Sequence, residues 1–305
     1  MNNCVTIIVT FNAMRWLDKC IGSLRHSNEP TDIFVIDNDS SDETVNYIKT
    51  NYPEVRLFEE KDNLGFGKAN NVGLIEACKM DYSFMFLLNQ DAWVEKDVLG
   101  SLKKALIANP DFGIISPIHL NGTGTDYDRL FELAVKKQLA NDNFLDRGQG
   151  ISTIREIDFV NAAAWMMPKE CILRVGLFHP LFFHYGEDNN YVDRVKYETL
   201  KVGLLSHTYI YHDRQGRKNN QLKDDVKRKF IKDSLTMLLK PKSIARNSSV
   251  WLWALFRIVC LNNNSYLIKD KIDFFKWALN QHSQNILKRN NFTKYRSREL
   301  KPFDL

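Results

Sequence analysis

Four short clusters in this chain carry side chains able to do chemistry at turns: Thr10-Phe11-Asn12, Asp37-Asn38-Asp39, Asp62-Asn63-Leu64-Gly65 and Asn89-Gln90-Asp91. Further along stand the acidic pair Glu187-Asp188 and a histidine, His212. Carboxylates hold cations or accept protons, and imidazoles ligate metals or shuttle protons. The run Asn63-Leu64-Gly65-Phe66-Gly67-Lys68-Ala69-Asn70-Asn71 has another character. Glycines let backbone amides approach an anion, and the N-terminus of a following helix favours negative charge, so this run reads as a phosphate cradle. It half-matches the dinucleotide fingerprint, but that pattern follows a first strand and needs a third glycine where Asn70 stands; the Walker A pattern is absent. A nucleotide diphosphate held by another kind of fold is the better inference.

The elements that must position these groups alternate in type. Val5-Thr6-Ile7-Ile8-Val9-Thr10 predicts a strand, and Leu17, Cys20, Ile21 and Leu24 fall at helical spacing. A second strand, Ile33 to Ile36, leads to Ser40-Ser41-Asp42-Glu43, where Ser40 and Glu43 have the spacing of a capping box ahead of Val45 and Ile48. A third strand around Val55 to Phe58 precedes the glycine-bearing turn and a helix starting near Gly67. Ser83 to Leu88 reads as a central strand, and Val98, Leu102, Ala105 and Leu106 share one face of the next helix. Repeated βα units imply an α/β fold with a mostly parallel central sheet and helices on both faces.

In open α/β sheets, ligands bind in the crevice outside the carboxyl ends of the strands, which is where the four clusters fall. Singly, each is what any turn contains; together they mark one polar crevice. Residues 120–155, with Gly122, Gly124, Gly148 and Gly150, predict an irregular, mobile loop beside it. Order resumes at Ile157: Phe159 to Met167 is apolar and buried, Glu187-Asp188 opens a helix, and Val202 to Tyr211 is a last strand.

Hydrophobic residues at 44% and charged residues at 26% describe a folded globular chain of 305 residues, long enough for one large domain and an annex. The charge is unevenly spread. Residues 214–305 hold 21 Lys+Arg against 7 Asp+Glu, leaving 21 basic and 30 acidic residues in the rest. An acidic body with a basic tail points to an anionic partner, and of the candidates a membrane surface is expected and nucleic acid is not. The alternative is a solvated helical face. From about Lys223 helical patterns dominate, and the Trp-rich run Val250 to Cys260, interrupted by Arg257, fits either an interfacial helix or a core helix packed on the main domain. Five scattered cysteines and no C-x-x-C pair support neither a disulfide framework nor a zinc site. With no signal peptide legible at the N-terminus, a cytoplasmic protein is expected, peripheral on the inner face of the plasma membrane.

The ordered motifs Val5–Asn12, Val35–Asp42, Asn63–Asn70, Leu88-Asn89-Gln90-Asp91-Ala92, Gly186-Glu187-Asp188 and Tyr211-His212 resemble those of the family 2 glycosyltransferases, more closely their rhamnosyltransferase-like branch that builds bacterial surface polysaccharides. The resemblance covers about residues 4–215. It implies a GT-A catalytic domain over 1–215, with a donor half to about 118 and an acceptor half from about 119, and a basic helical region over 216–305. It implies that Thr10 and Asp37 meet the nucleoside while Asn63, Gly65 and Asn70 shape the ribose and diphosphate pocket, with Asn12, Asn38, Lys68 and Asn89 completing the donor site. Asp91 becomes a metal ligand. The family's Asp-x-Asp is here Asn89-x-Asp91, with one carboxylate instead of two, and the family pattern supplies His212 as second ligand. A carboxylate with an imidazole suits Mn²⁺ better than Mg²⁺.

By the same resemblance Asp188 is the general base for an acceptor hydroxyl and Glu187 orients acceptor or base. Trp165 and Tyr185 are expected to line the acceptor side. The implied reaction is inverting transfer of one sugar from a dTDP- or UDP-sugar, rhamnose-like donors favoured, to a growing lipid-linked glycan. Three rival readings remain: a nucleotide-binding protein of this fold without transferase activity, a nucleotidyltransferase, and a polyanion-binding module using residues 214–305. The second typically carries a Gly-rich basic loop after the first strand, where this chain has Thr10-Phe11-Asn12-Ala13.

Overall fold

The β-branched run near the N-terminus forms β1 (Cys4–Thr10), buried on both faces as a strand covered by helices must be. It lies between two parallel neighbours, β2 (Asp32–Asn38) and β4 (Phe84–Asn89), with β3 (Arg56–Glu60) parallel to β2 on the outside. The registers Thr10↔Asp37 and Val9↔Asn89 bring the carboxyl ends of three strands level, so the polar residues after them share one edge. The computed structural model describes residues 3–139, 152–180, 182–214 and 276. Almost all of these belong to one unit, Met1–Asn219. The basic region 216–305, with its run Val250 to Cys260, lies outside the described residues save Lys276.

The sheet continues past β4 with β8 (Ala164–Pro168), then β6 (Phe112–Asn121), β9 (Lys201–His212) and β5 (Ala92–Val94), while β7 (Ile154–Glu156) pairs with β9 off this path. The first four strands are parallel; β8 runs antiparallel to β4, and β5 antiparallel to β9. The pairing Ala92↔His212 carries the end of the last strand to the residue after Asp91.

Side chains alternate across the sheet, so neighbours in sequence join different cores. Ile7, Phe34, Leu87 and Trp165 pack in one cluster with α3 (Phe66–Lys79) and α7 (Glu187–Tyr197), whereas Ile8, Val35, Leu88 and Met166 pack in the other with α1 (Leu17–Arg25) and α4 (Val98–Ala108). Leu17, Cys20, Ile21 and Leu24 are the buried residues of α1, the helical spacing read from the sequence. Burying each such aliphatic side chain contributes about 1.5–3 kcal/mol. The cysteines Cys4, Cys20, Cys78 and Cys171 are free buried thiols, and burial pushes Cys4 and Cys171 up to about 12. Among the described residues no helix is long and apolar enough to cross a membrane.

Three local expectations differ from the fold. Ser40 does not cap α2 (Thr44–Asn51): its hydroxyl donates to Asp37 Oδ1 at 2.6 Å and its oxygen accepts from Asn12 N at 2.9 Å in place of a helix amide, while Thr44 N donates to Asp42 Oδ1 at 3.0 Å. Within 120–155, which composition marks as irregular, lie the end of β6, the helix α5 (Arg129–Val135) capped by Asp128, and β7; residues 140–151 lie outside the described set. The donor/acceptor boundary near 118 falls inside β6, which pairs with β9 on both sides of that point.

Gly73 lets α3 lie close on the sheet: a β-carbon there would be 2.6 Å from Ile7 Cγ2 and 2.9 Å from Ile36 Cδ1, both in the core. Gly73→Val is expected to cost about 1–3 kcal/mol through overpacking, read as a lower urea midpoint at unchanged slope.

Candidate active site

At one end of the crevice the buried Asp37 organises the turn after β1. Its Oδ1 accepts from Thr10 Oγ1 at 3.0 Å and Ser40 Oγ at 2.6 Å, and its Oδ2 accepts from Ser40 N at 3.0 Å. Ser40 Oγ in turn accepts from Asn12 N at 2.9 Å, and Asn12 Oδ1 accepts from Ser41 N at 2.9 Å. Asn12 and Asp39 both sit in left-handed backbone, at φ 52° and 69°, a conformation that asparagine and aspartate tolerate better than most residues. The Gln90 amide closes the edge by accepting from Phe11 N at 2.7 Å and donating to Phe11 O at 3.2 Å. Asp37 Oδ2 receives a single bond here, and a carboxylate oxygen offers about two lone-pair sites.

The glycine-bearing turn is built differently from a phosphate cradle of free amides. Leu64 N donates to Asn38 Oδ1 at 2.7 Å, Gly65 N to Asn63 Oδ1 at 3.0 Å and Phe66 N to Phe183 O at 3.2 Å. Asn38 Nδ2 donates to Asn63 Oδ1 at 3.1 Å, tying the turn to β2. With these amides used internally, the turn's attraction for an anion lies in the N-terminal end of the 14-residue α3. Asn70 is buried and its Nδ2 donates to Phe66 O at 2.9 Å, so it braces the first turn of that helix; Lys68 is exposed beside it.

Asp188 and Glu187 open α7, and Glu187 is buried. A β-carbon on Gly67 would lie 3.5 Å from Glu187 Cβ, which puts the start of α7 against the start of α3. Asp188 is partly exposed, and its Oδ1 accepts from Asn189 N at 2.8 Å. The chain enters α7 through two left-handed residues, Tyr185 at φ 67° and Gly186 at φ 95°. At the other end of the helix Arg194 donates to Asn190 Oδ1, Val175 O and Leu177 O at 3.1, 2.8 and 2.7 Å, which fixes the helix to the preceding segment.

The third group is the contact between Asp91 and His212, each 1% exposed. His212 Nε2 lies 3.2 Å from Asp91 Oδ1 and 3.3 Å from Asn89 Nδ2. Asn89 Oδ1 is buried without a hydrogen-bond partner. One carboxylate oxygen and one imidazole nitrogen are a mixed N/O pair of the ligand types that suit a divalent cation of the Mn²⁺ type. Among the described residues no group of three or more His, Cys, Asp and Glu gathers as a metal cluster, and the Asn89 amide turns its nitrogen, not its unpartnered oxygen, toward His212 Nε2. Beneath it, His119 is held near 3.0 Å from Ser116 Oγ, and burial, then the charges of His212 and Arg214, keep its pKa well below the ordinary value, so it is neutral.

Trp165 does not line the crevice. It is fully buried and packs on Phe178 and Tyr191 at ring distances of 6.2 and 6.1 Å, because β8 inserts it into the core between β4 and α7. Tyr185, 47% exposed, does stand on the surface ahead of α7. Sequence reasoning missed Ser40 as the partner of Asp37, the backbone of Phe183, and Asp128, whose Oδ2 accepts from Arg214 Nε at 2.8 Å and lies 3.7 Å from His212 Nδ1. The signal for Asp128 was available: an aspartate three residues before Phe131, with Val135 four further on, is an N-cap ahead of an amphipathic turn.

The family model described as Glycosyl transferase family 2 matches residues 5–166. The SPbeta prophage-derived glycosyltransferase SunS of Bacillus subtilis (strain 168) and glycosyltransferase SunS of Bacillus phage SPbeta are each 28% identical over 132 residues, 41% of this chain. The chain spans 30% of the length of these curated relatives. Among solved structures, residues 1–349 of S. aureus TarS in complex with UDP-GlcNAc align at a TM-score of 0.56 and 14% identity, covering 84% of this chain and 72% of that one. GalNAc-T7 with UDP, GalNAc and Mn²⁺ aligns at 0.61 and 14% identity, covering 94% of this chain and 58% of that one. At such identities the likeness is one of fold, and that fold is GT-A.

Gly65 has φ 78°, and a β-carbon there would enter the Phe183 carbonyl and lie 2.8 Å from its carbon. Gly65→Ala is expected to displace the 182–186 segment and cost about 1–3 kcal/mol, measured as a lowered thermal midpoint together with faster proteolysis at that segment.

Proposed function

Because the chain belongs to glycosyl transferase family 2, we propose that it moves one sugar from a UDP- or dTDP-linked donor to a hydroxyl of a growing surface glycan, with inversion at the anomeric carbon. The observation that carries the reading is the buried Asp91–His212 contact at the carboxyl edge of the sheet, level with the Thr10–Asp37 network. Asp37, Thr10 and Asn12 take the nucleoside end of the donor, and the turn Asn63–Gly65 with the N-terminus of α3 takes the diphosphate. Asp91 and His212 would hold a divalent cation, which when bound neutralises charge on the leaving diphosphate.

Proton transfer falls to Asp188. An acceptor hydroxyl attacking the anomeric carbon must lose its proton, and a carboxylate held at the first turn of α7 is favoured as an anion by the helix dipole. Glu187, packed between the starts of α3 and α7, fixes the distance between donor and acceptor sides. Direct attack needs no enzyme nucleophile, so the product is inverted. The neighbours bound to UDP and UDP-GlcNAc favour a UDP-linked donor over a dTDP-linked one. The rhamnosyltransferase-like motifs favour a deoxyhexose. For the acceptor, the basic composition of residues 214–305 supports a lipid-linked glycan at an anionic membrane face. Asn89 in place of a carboxylate favours the second reading, a donor-binding protein that does not turn over.

A panel of UDP- and dTDP-sugars with Mn²⁺ decides between them: transfer or slow hydrolysis of one donor is expected, and tight UDP binding without turnover of any would establish the second reading. Asp188→Asn is expected to keep donor affinity and lower the transfer rate by about 10²–10⁴-fold, and a smaller loss in single-turnover assays would move the base to Glu187. Asp91→Ala is expected to weaken UDP binding in the presence of Mn²⁺ by about tenfold or more while leaving binding in chelator unchanged; calorimetry showing the same Mn²⁺ dependence as wild type would refute its role.

A further inference from the structure

The imidazole of His212 stands between two carboxylates. Its Nε2 is 3.2 Å from Asp91 Oδ1, and its Nδ1 is 3.7 Å from Asp128 Oδ2 and has no hydrogen bond of its own. A buried N–H seeks an acceptor, so the carboxylate that takes the proton decides which nitrogen keeps a lone pair. A proton on Nε2, drawn by Asp91, points a donor at the very place a cation needs a ligand. A proton on Nδ1, drawn by Asp128, leaves Nε2 free to ligate.

We infer that Asp128 is the positioning residue for His212, holding its ring and its Nδ1–H tautomer so that Nε2 faces Asp91, with Arg214 fixing the Asp128 carboxylate. This rests on the reading of His212 as a cation ligand. Asp128 is itself placed by two independent bonds: its Oδ1 accepts from Phe131 N at 2.9 Å as the N-cap of α5, and its Oδ2 accepts from Arg214 Nε at 2.8 Å. The 3.7 Å separation is about 0.5–1 Å beyond hydrogen-bond length, a gap that a small shift of α5 closes, while the Asn89 Nδ2 donor 3.3 Å from Nε2 favours a lone pair on that nitrogen. The adjoining residue keeps the strand end from drifting: Asp213 N donates to Asp91 O at 2.8 Å, and the Asp213 carboxylate accepts from Arg15 Nη2 at 3.2 Å and Trp16 Nε1 at 3.1 Å. The only other imidazole against His212 among the described residues is that of His119, edge-on at 6.3 Å; it offers no anion to compete.

The test is Asp128→Asn in the full chain. Asparagine caps a helix about as well as aspartate, so α5 is kept while the charge is removed. Binding of Mn²⁺ alone, followed by the free-ion EPR signal, is expected to weaken by about 10–100-fold with little change in the thermal midpoint. The imidazole ¹⁵N spectrum of the metal-free protein is expected to show the His212 proton on Nδ1 in wild type and displaced toward Nε2 in the variant. Wild-type Mn²⁺ affinity and an unchanged tautomer in Asp128→Asn would overturn the inference. His212→Ala separates the two layers: if it weakens Mn²⁺ binding and Asp128→Asn does not, only the role of Asp128 falls, and if it leaves Mn²⁺ binding unchanged, the ligand reading falls and this one with it. Should Asp128→Asn fail to fold, Arg214→Gln is read the same way, with a smaller loss in the same direction expected and no change in either measurement counting against the inference.

Discussion

The Asp91–His212 contact joins residues 121 apart in sequence and buries both. A carboxylate and an imidazole taken out of water cost several kcal/mol unless each meets a partner. Much of the second half of the sheet answers that requirement. To bring His212 to Asp91, β9 must run beside β6 past an irregularity in register near Ser116, and β5 must turn back antiparallel so that Ala92 faces His212. The antiparallel strand β8 is the spacer that lets these additions stand next to a parallel half-sheet whose carboxyl ends already coincide. The polar crevice is thus where two differently built halves of one sheet meet, and its buried polar side chains are paired across the seam.

Pairing at a seam also explains the economy of the donor side. Asp37 and Asn38 are consecutive residues of β2 with opposite duties, Asp37 gathering the turn after β1 and Asn38 the turn after β3. Their side chains satisfy backbone amides that would otherwise be buried donors without acceptors. The result is a rigid rim made of side chains that look, one by one, like ordinary turn residues.

Much of this was legible in the sequence, and the parts that were not share a physical cause. The helix α1, the start of α7 and the last strand follow from local periodicity and first-turn acids, so Leu17, Glu187 and Tyr211 could be placed without knowing what they touch. The helix α5 was hidden in a stretch whose glycines and polar residues read as a loop, although Asp128 ahead of Phe131 and Val135 marks its start. Ser40 misled for the opposite reason: its spacing to Glu43 fits a helix cap, yet the amide its oxygen accepts from is that of Asn12, which only the pairing of β1 with β2 brings near. Trp165 likewise reads as a sugar platform until the pairing Leu87↔Trp165 turns its ring into the core. Local rules find elements; which of two partners a hydroxyl or a ring takes is decided by strands far away in sequence.

The close approach of Gly65 to Phe183 has a consequence for how such a protein can change over time. The turn after β3 and the segment ahead of α7 share a backbone bond, Phe66 N to Phe183 O, with no room for a side chain at Gly65. The two halves are therefore not interchangeable modules. A replacement segment must reproduce the carbonyl at Phe183 or release the glycine turn, so variation is channelled to the tips, such as His184 and Tyr185, and away from the root of the loop.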